Sequence, residues 1–246
     1  MMKILFFASR NTKEIIRDRL NLAFGIGFPV ILLLLLSAIQ ANIPVEIFAL
    51  GQLTPGIAVF GLSFISLFSG MLIAKDRTSS FMLRLFASPL TASDFIFGYT
   101  LPLLPMALIQ MVVCFTVAFF MGLTVSVNVL LTLLVLLPAA VLFIAIGLLC
   151  GSLFNDKQVG GVCGALLTNL SAWLSGTWFD LDLVGGAFKE IAYMLPFVHA
   201  VKAGQAALSG DYASVFPHLW WVIGYAVITM AIAILVFTRK MNSDHT

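Results

Sequence analysis

Residues 127–153 read VNVLLTLLVLLPAAVLFIAIGLLCGSL, an unbroken run from Val127 to Leu153 without a charged side chain. As a helix rising about 1.5 Å per residue it reaches roughly 40 Å, more than the ~30 Å hydrocarbon layer of a bilayer. Inside that layer no water satisfies the backbone, so a segment of this length must be helical to bond its own N–H and C=O groups. The run therefore sets the fold class, and comparable runs extend from it in both directions. Spans are expected at about 21–39, 53–74, 98–121, 127–153, 160–177 and 220–237, six in all. Composition agrees: 61% of the residues are apolar and 10% charged, against roughly 25% charged in a soluble domain. The expected fold is an all-α polytopic membrane protein, residues 1–246 forming a single transmembrane domain without repeats or low-complexity tracts.

Residues 3–19 precede the first span and read as an amphipathic helix lying on the membrane. Ile4, Leu5, Ala8, Ile15 and Ile16 recur on one side, and Lys3, Arg10, Lys13, Glu14 and Arg17 gather on the other. An ordinary cytoplasmic tail is the alternative. Seven charges in the first 19 residues are too many for a signal-peptide n-region, so the first span is expected to stay in the protein. Pro29 falls inside span one, and Pro102 and Pro105 are placed near the start of span three. Residues 178–219 mix Asp180, Asp182, Lys189, Glu190, Lys202 and Asp211 with apolar stretches interrupted by Pro196, His199 and Gln205. They read as broken helices dipping in from one face before span six.

Charge placement sets the orientation. Eleven of the 13 Lys and Arg residues fall in segments that are cytoplasmic if the N-terminus is inside, and only Lys189 and Lys202 fall outside. Both termini are thus expected in the cytoplasm. No phosphate-loop motif occurs. Between Asn21 and Thr177 the only charges are Glu46, Lys75, Asp76, Arg77, Arg84, Asp94, Asp156 and Lys157, all placed in loops. An autonomous pump would need buried acids in its spans, so any energy for uphill transport must come from another chain. Cys114, Cys150 and Cys163 lie in apolar runs without metal-type spacing and read as core residues. No metal site and no catalytic residue is assigned, and the net charge of +2 gives no reason to expect nucleic acid as a partner.

The loop after span two carries the most information: Lys75-Asp76-Arg77-Thr78-Ser79-Ser80-Phe81-Met82-Leu83-Arg84-Leu85-Phe86-Ala87-Ser88-Pro89-Leu90. A short amphipathic helix is expected over Ser79–Ala87, stopped by Pro89. Thr91 and Asp94 then have the spacing of a capping box that opens the next helix. The short helix suits either a groove on a partner or the membrane surface with snorkelling arginines.

This loop resembles the signature of type-2 ABC exporter permeases, in particular the drug-resistance (daunorubicin-type) branch. The matching elements are Asp76-Arg77, Arg84-Leu85-Phe86-Ala87-Ser88-Pro89-Leu90, and Phe95 through Gly98-Tyr99, together with the N-terminal helix, the six-span layout and Leu195-Pro196. The chain departs from the family's E-x-G-T-x-E pattern, holding Thr78, Ser79, Ser80 and Met82 in that stretch. The resemblance implies a permease subunit of an ATP-driven exporter in a bacterial cell membrane. It would act as a dimer with an identical or homologous permease, served by two cytoplasmic ABC ATPase subunits that hold the ATP and Mg; this chain would bind no cofactor.

Further roles follow from the same resemblance. Asp76, Arg77, Phe81, Arg84, Leu85, Ser88 and Pro89 would form the coupling region, braced by an interface helix bearing Arg10, Lys13 and Arg17. Asn155-Asp156-Lys157-Gln158 is either a second, smaller contact or a solvated turn. Spans one and five would lie at the dimer interface and along the path, with Gln40, Asn169, Ser171 and Ser175 as path candidates; each could equally bond a neighbouring helix. Gly147-x-x-x-Gly151 and Gly160-x-x-x-Gly164 suit close helix packing, within or between subunits. His199 and Lys202 are outer-gate candidates or residues facing water, and the four tryptophans suit an aromatic belt. The implied cargo is hydrophobic or amphiphilic: a drug, antibiotic, lipid-like molecule or peptide. An integral-membrane lipid-modifying enzyme and an ATPase-independent channel or scaffold are the other classes open to the sequence.

Overall fold

The computed structural model describes residues 2–43, 48–78 and 91–243, which form helices joined by short turns with no strand among them. In chain order they are α1 (Met2–Arg17), α2 (Arg19–Gln40), α3 (Leu50–Thr78), α4 (Ala92–Phe120), α5 (Val127–Val135) and α6 (Leu137–Leu153). A continuous helical path follows, made of α7 (Asp156–Val159), a π-helical segment (Gly160–Leu167) and α8 (Thr168–Trp173). The chain ends with α9 (Leu181–Val184), α10 (Gly186–Met194), α11 (Pro196–Ser209) and α12 (Tyr212–Ser243).

Five of the described helices are long and apolar enough to cross a membrane: α2, α3, α4, the α5–α6 pair and α12. The pair is divided at Leu136, just before Pro138 in the first turn of α6. The segment expected as a span at 160–177 is built differently. Its π-helical turns, a rare geometry often found at functional sites, end where the Thr168 hydroxyl donates to the Cys163 carbonyl five residues back (3.0 Å).

The bundle is organised around α3. Its apolar window is 78% buried, against 22% for α2 and 17% for α12. Small residues on α3 and on α6 explain this, because they let the two backbones come close. A Cβ on Gly147 would stand 2.8 Å from the Ser66 carbonyl carbon, and one on Gly151 would stand 2.9 Å from the Gly70 Cα. Ser69, between them, donates to the Ile144 carbonyl of α6 (3.2 Å). The Gly147–Gly151 pair therefore packs α6 on α3 within one chain. By contrast, a Cβ on Gly160 would meet nothing within 4 Å.

Several local expectations change. Lys75, Asp76 and Arg77 belong to the last turns of α3 rather than to a loop, and Asp94 lies in the first turn of α4. The Thr91–Asp94 capping box is present, with bonds of 2.9 and 3.2 Å. Asn155 and Gln158 form a second capping box (3.0 and 3.2 Å), so residues 155–158 start a helix and are not a plain turn. Because α4 begins at Ala92, Pro102 and Pro105 sit well inside it and not near its start. The last helix begins at Tyr212, earlier than the span expected at 220, and takes in Pro217 and His218. The proposed short helix at Ser79–Ala87, with Phe81, Arg84, Leu85, Ser88 and Pro89, lies outside the described residues, as does Glu46.

Candidate functional site

The last turns of α3 hold a polar network that joins four other helices. Arg10 of α1 grips Asp76 with both guanidinium nitrogens, Nη1 to Oδ2 at 2.5 Å and Nη2 to Oδ1 at 2.8 Å. Two parallel charge-assisted bonds of this kind fix orientation as well as add strength. The Tyr99 hydroxyl of α4 donates to the same Oδ2 at 2.8 Å. Asp76 is only 5% exposed, so its charge depends on these donors. Burial works against the Arg10 charge, but the hydrogen bond and charge of Asp76, with Glu14 at 3.5 Å, more than offset it and raise the Arg10 pKa.

Sequence chemistry explains why α1 docks here. Pro102 has no N–H, so the Gly98 carbonyl four residues earlier loses its helical partner. The Asn11 side-chain amide of α1 fills that vacancy at 3.1 Å, while its Oδ1 accepts from Arg10 at 2.9 Å. Gly98 also makes room for Phe7, whose ring meets Phe95 (5.5 Å) and Tyr99 (4.9 Å) edge-on. The buried stripe of α1 is thus Phe7, Ala8 and Asn11, whereas Leu5 (56%) and Ile16 (61%) are exposed. Arg10, grouped by sequence with the outward charges, points inward; Lys13 and Arg17 are exposed.

Arg77 turns the other way. Its Nη1 donates to the carbonyls of Gly151 (2.8 Å) and Ser152 (2.6 Å), the final turn of α6. Those carbonyls have no helical partners and carry the negative end of the helix dipole, so a cation there is favourable. Lys75 pairs with Asp18, the N-cap of α2, at 3.7 Å. A cavity of about 260 Å³ beside this pair is lined by Glu14, Arg17, Asn21, Phe68 and Met106. Three adjacent residues of α3 therefore engage α2, α1 with α4, and α6, immediately before residues 79–90.

Three of the path candidates bond locally, within their own stretch of chain. Asn169 is exposed and donates to Ala165 (2.8 Å); Ser171 and Ser175 are buried and donate to Thr168 (3.0 Å) and Ala172 (3.2 Å) of their own segment. Gln40 accepts from the Phe48 N–H at 2.6 Å.

At the opposite end of α3 lies a second cluster. His199 is 5% exposed rather than facing water. Its Nδ1 is 2.8 Å from Nδ1 of His218, its Nε2 is 2.9 Å from the Tyr193 carbonyl, and Trp221 stacks on it at 5.1 Å. Burial lowers the His199 pKa; the Tyr193 carbonyl acts in the opposite sense and the Lys202 charge adds to the lowering. Lys202 donates to the Tyr193 hydroxyl and lies over its ring at 4.6 Å.

Sequence reasoning missed Asn11 and Tyr193, gave Tyr99 no role in the network, and weighed His218 only beside Asp180, Asp182 and His199 as the outer groups a lipid-modifying enzyme would have to use. For Asn11 a signal existed: a lone amide on an apolar helix face, with a glycine–proline pair at spacing four elsewhere in the chain. For the bond between His199 and His218 there was none, since only the fold brings the two rings together.

A family model described as ABC-2 type transporter matches residues 2–208. No curated protein matches the chain.

Proposed function

The chain belongs to the ABC-2 type transporter family, and on that premise we propose that it is the membrane permease of an ATP-driven exporter whose motion is driven through the end of α3. Membership makes it a transport permease with several membrane-crossing helices, in a family that works with ABC ATPases. The observation that carries the finer reading is the attachment of Lys75, Asp76 and Arg77 to four other helices directly ahead of residues 79–90. A push on that loop by an ATPase closing on ATP would turn α3, the most buried helix, and carry α1, α4 and α6 with it.

In this proposal Phe81, Arg84, Leu85, Ser88 and Pro89 meet the ATPase, and α1 with Arg10, Lys13 and Arg17 braces the loop. The helical path 156–173 makes the sixth crossing, both termini are cytoplasmic, and the membrane is a bacterial cell membrane. Two ATPase subunits, holding ATP and Mg, serve a pair of permeases, identical or homologous. The exposed faces of α2 and of residues 156–173 suit the contact between them. The loop's likeness to the drug-resistance branch, together with the low charge of the bundle, supports a hydrophobic or amphiphilic cargo.

The test is reconstitution with the cognate ATPase in proteoliposomes. ATP-dependent, vanadate-sensitive movement of a fluorescent amphiphilic drug is the expected result. Equal movement without ATP or without the ATPase would remove the reading.

A further inference from the structure

Beside the His199–His218 pair is a cavity of about 490 Å³ whose polar lining includes Gln52, Thr124, Ser126, Lys202, Gln205 and His218. Among the described residues that line it there is no carboxylate. The cavity on the other side of Lys202, about 650 Å³, differs: Asp180 and Asp182 line it, and Asp182 is paired with Lys189 at 2.6 Å. Lys202 and Gln205 belong to both walls, so the lysine stands between an acidic chamber and one lined by neutral and basic groups.

The hydrogen bonds fix the tautomers of the histidine pair. The Tyr193 carbonyl can only accept, so Nε2 of His199 carries a proton and donates to it. In neutral His199, Nδ1 is then a bare acceptor, and the 2.8 Å contact requires Nδ1–H on His218. That leaves Nε2 as the remaining ring nitrogen of His218, with a lone pair. Such an atom repels an anion; once protonated it donates to one, and the bond between the two rings survives. Lys202, with three N–H donors and a partner in the Tyr193 hydroxyl, has donors to spare.

We infer that this cavity binds a phosphate-type oxyanion, with Lys202 as the standing cation and His218 taking up one proton on Nε2 as the anion enters. The inference uses only the cavity lining and the histidine geometry, and is independent of the transport reading. The charged and titratable groups around His218 are His199 and Lys202 on α11, Tyr193 on α10, and Asp211, whose carboxylate accepts the Ser214 hydroxyl at 2.6 Å; α3 contributes the neutral Gln52. Affinity therefore falls as pH rises through the His218 titration.

The test is native mass spectrometry of the detergent-purified full chain titrated with phosphatidylglycerol or with phosphatidylcholine. One phosphatidylglycerol should bind tightly and phosphatidylcholine weakly. Losing a charged hydrogen-bond donor in Lys202→Gln should weaken binding roughly 10- to 100-fold, Lys202→Arg should retain it, and Lys189→Gln should leave it unchanged. In the wild type, raising pH from about 5.5 to 8 should weaken binding roughly tenfold, the effect of one unit of linked proton affinity, and His218→Gln should lose that dependence. If Lys202→Gln does not fold, the arginine variant and the wild-type pH profile carry the test. Competition by inorganic phosphate would make the ligand a soluble oxyanion, and no competition would make it the lipid headgroup; both uphold the anion site. Equal binding of phosphatidylcholine, an unchanged affinity in a folded Lys202→Gln protein, or a flat pH profile overturns it.

Discussion

Replacing Asp76 with alanine lowers the thermal unfolding midpoint of the purified protein by roughly 5–10 °C and reduces ATP-driven transport further than that loss of stability accounts for. The size follows from the site. Breaking a buried ion pair by removing one partner costs about 3–5 kcal/mol. The Arg10 side chain is 31% exposed, so water recovers part of that, leaving about 2–3 kcal/mol. In a chain of this length each kcal/mol moves the midpoint by about 2–4 °C. Arg10→Ala should be worse than Asp76→Ala, because it removes the guanidinium from a carboxylate that is only 5% exposed, whereas a stranded arginine can swing toward water. Asp76→Asn keeps an oxygen for Tyr99 and should lie between wild type and alanine. Thermal melts and transport measured on the same preparations check all three. An alanine variant with wild-type melting and transport would show that the Arg10–Asp76–Tyr99 network is dispensable.

Gly151→Ala is the second large effect: the protein should be strongly destabilised, seen as a lowered unfolding midpoint and a diminished monodisperse size-exclusion peak. The added Cβ would strike the Gly70 backbone, with Cα at 2.9 Å, and a backbone cannot rotate aside as a side chain can. Overpacking in a tight interface costs about 1–3 kcal/mol, occasionally more, and here α6 would have to back away from the central helix along its length. Gly160→Ala is the matched control, since nothing lies within 4 Å of its added Cβ. A normal peak for Gly151→Ala would contradict the packing of α6 on α3.

Comparison of these two sites shows what the sequence made legible. The long uncharged runs fix helices in lipid, because hydropathy over 20 residues reports the solvent directly, and the capping box at Thr91 was readable because it is local in sequence. Glycine spacing at 147 and 151 announced close packing, but not against which helix. The Arg10–Asp76 pair was out of reach for a different reason. Amphipathic patterning assigns an arginine to the polar face, and only a partner 66 residues away turns it inward. Asn11 shows the same effect: its role depends on a carbonyl freed by Pro102 on another helix. His199 and His218 share a bond only once α11 folds back on α12. Elements set by local chemistry were visible; sites assembled from distant residues were visible only as types.

The central claim is that an ABC ATPase drives this chain through the segment that follows α3. The measurement that tests it most directly is co-purification of the detergent-solubilised protein from its host, comparing wild type with a variant carrying Arg84→Glu and Phe81→Ala. The account predicts that an ABC ATPase subunit comes down with the wild type and is lost from the variant while the permease itself remains folded. No ATPase with the wild type, or equal amounts with both proteins, would contradict it.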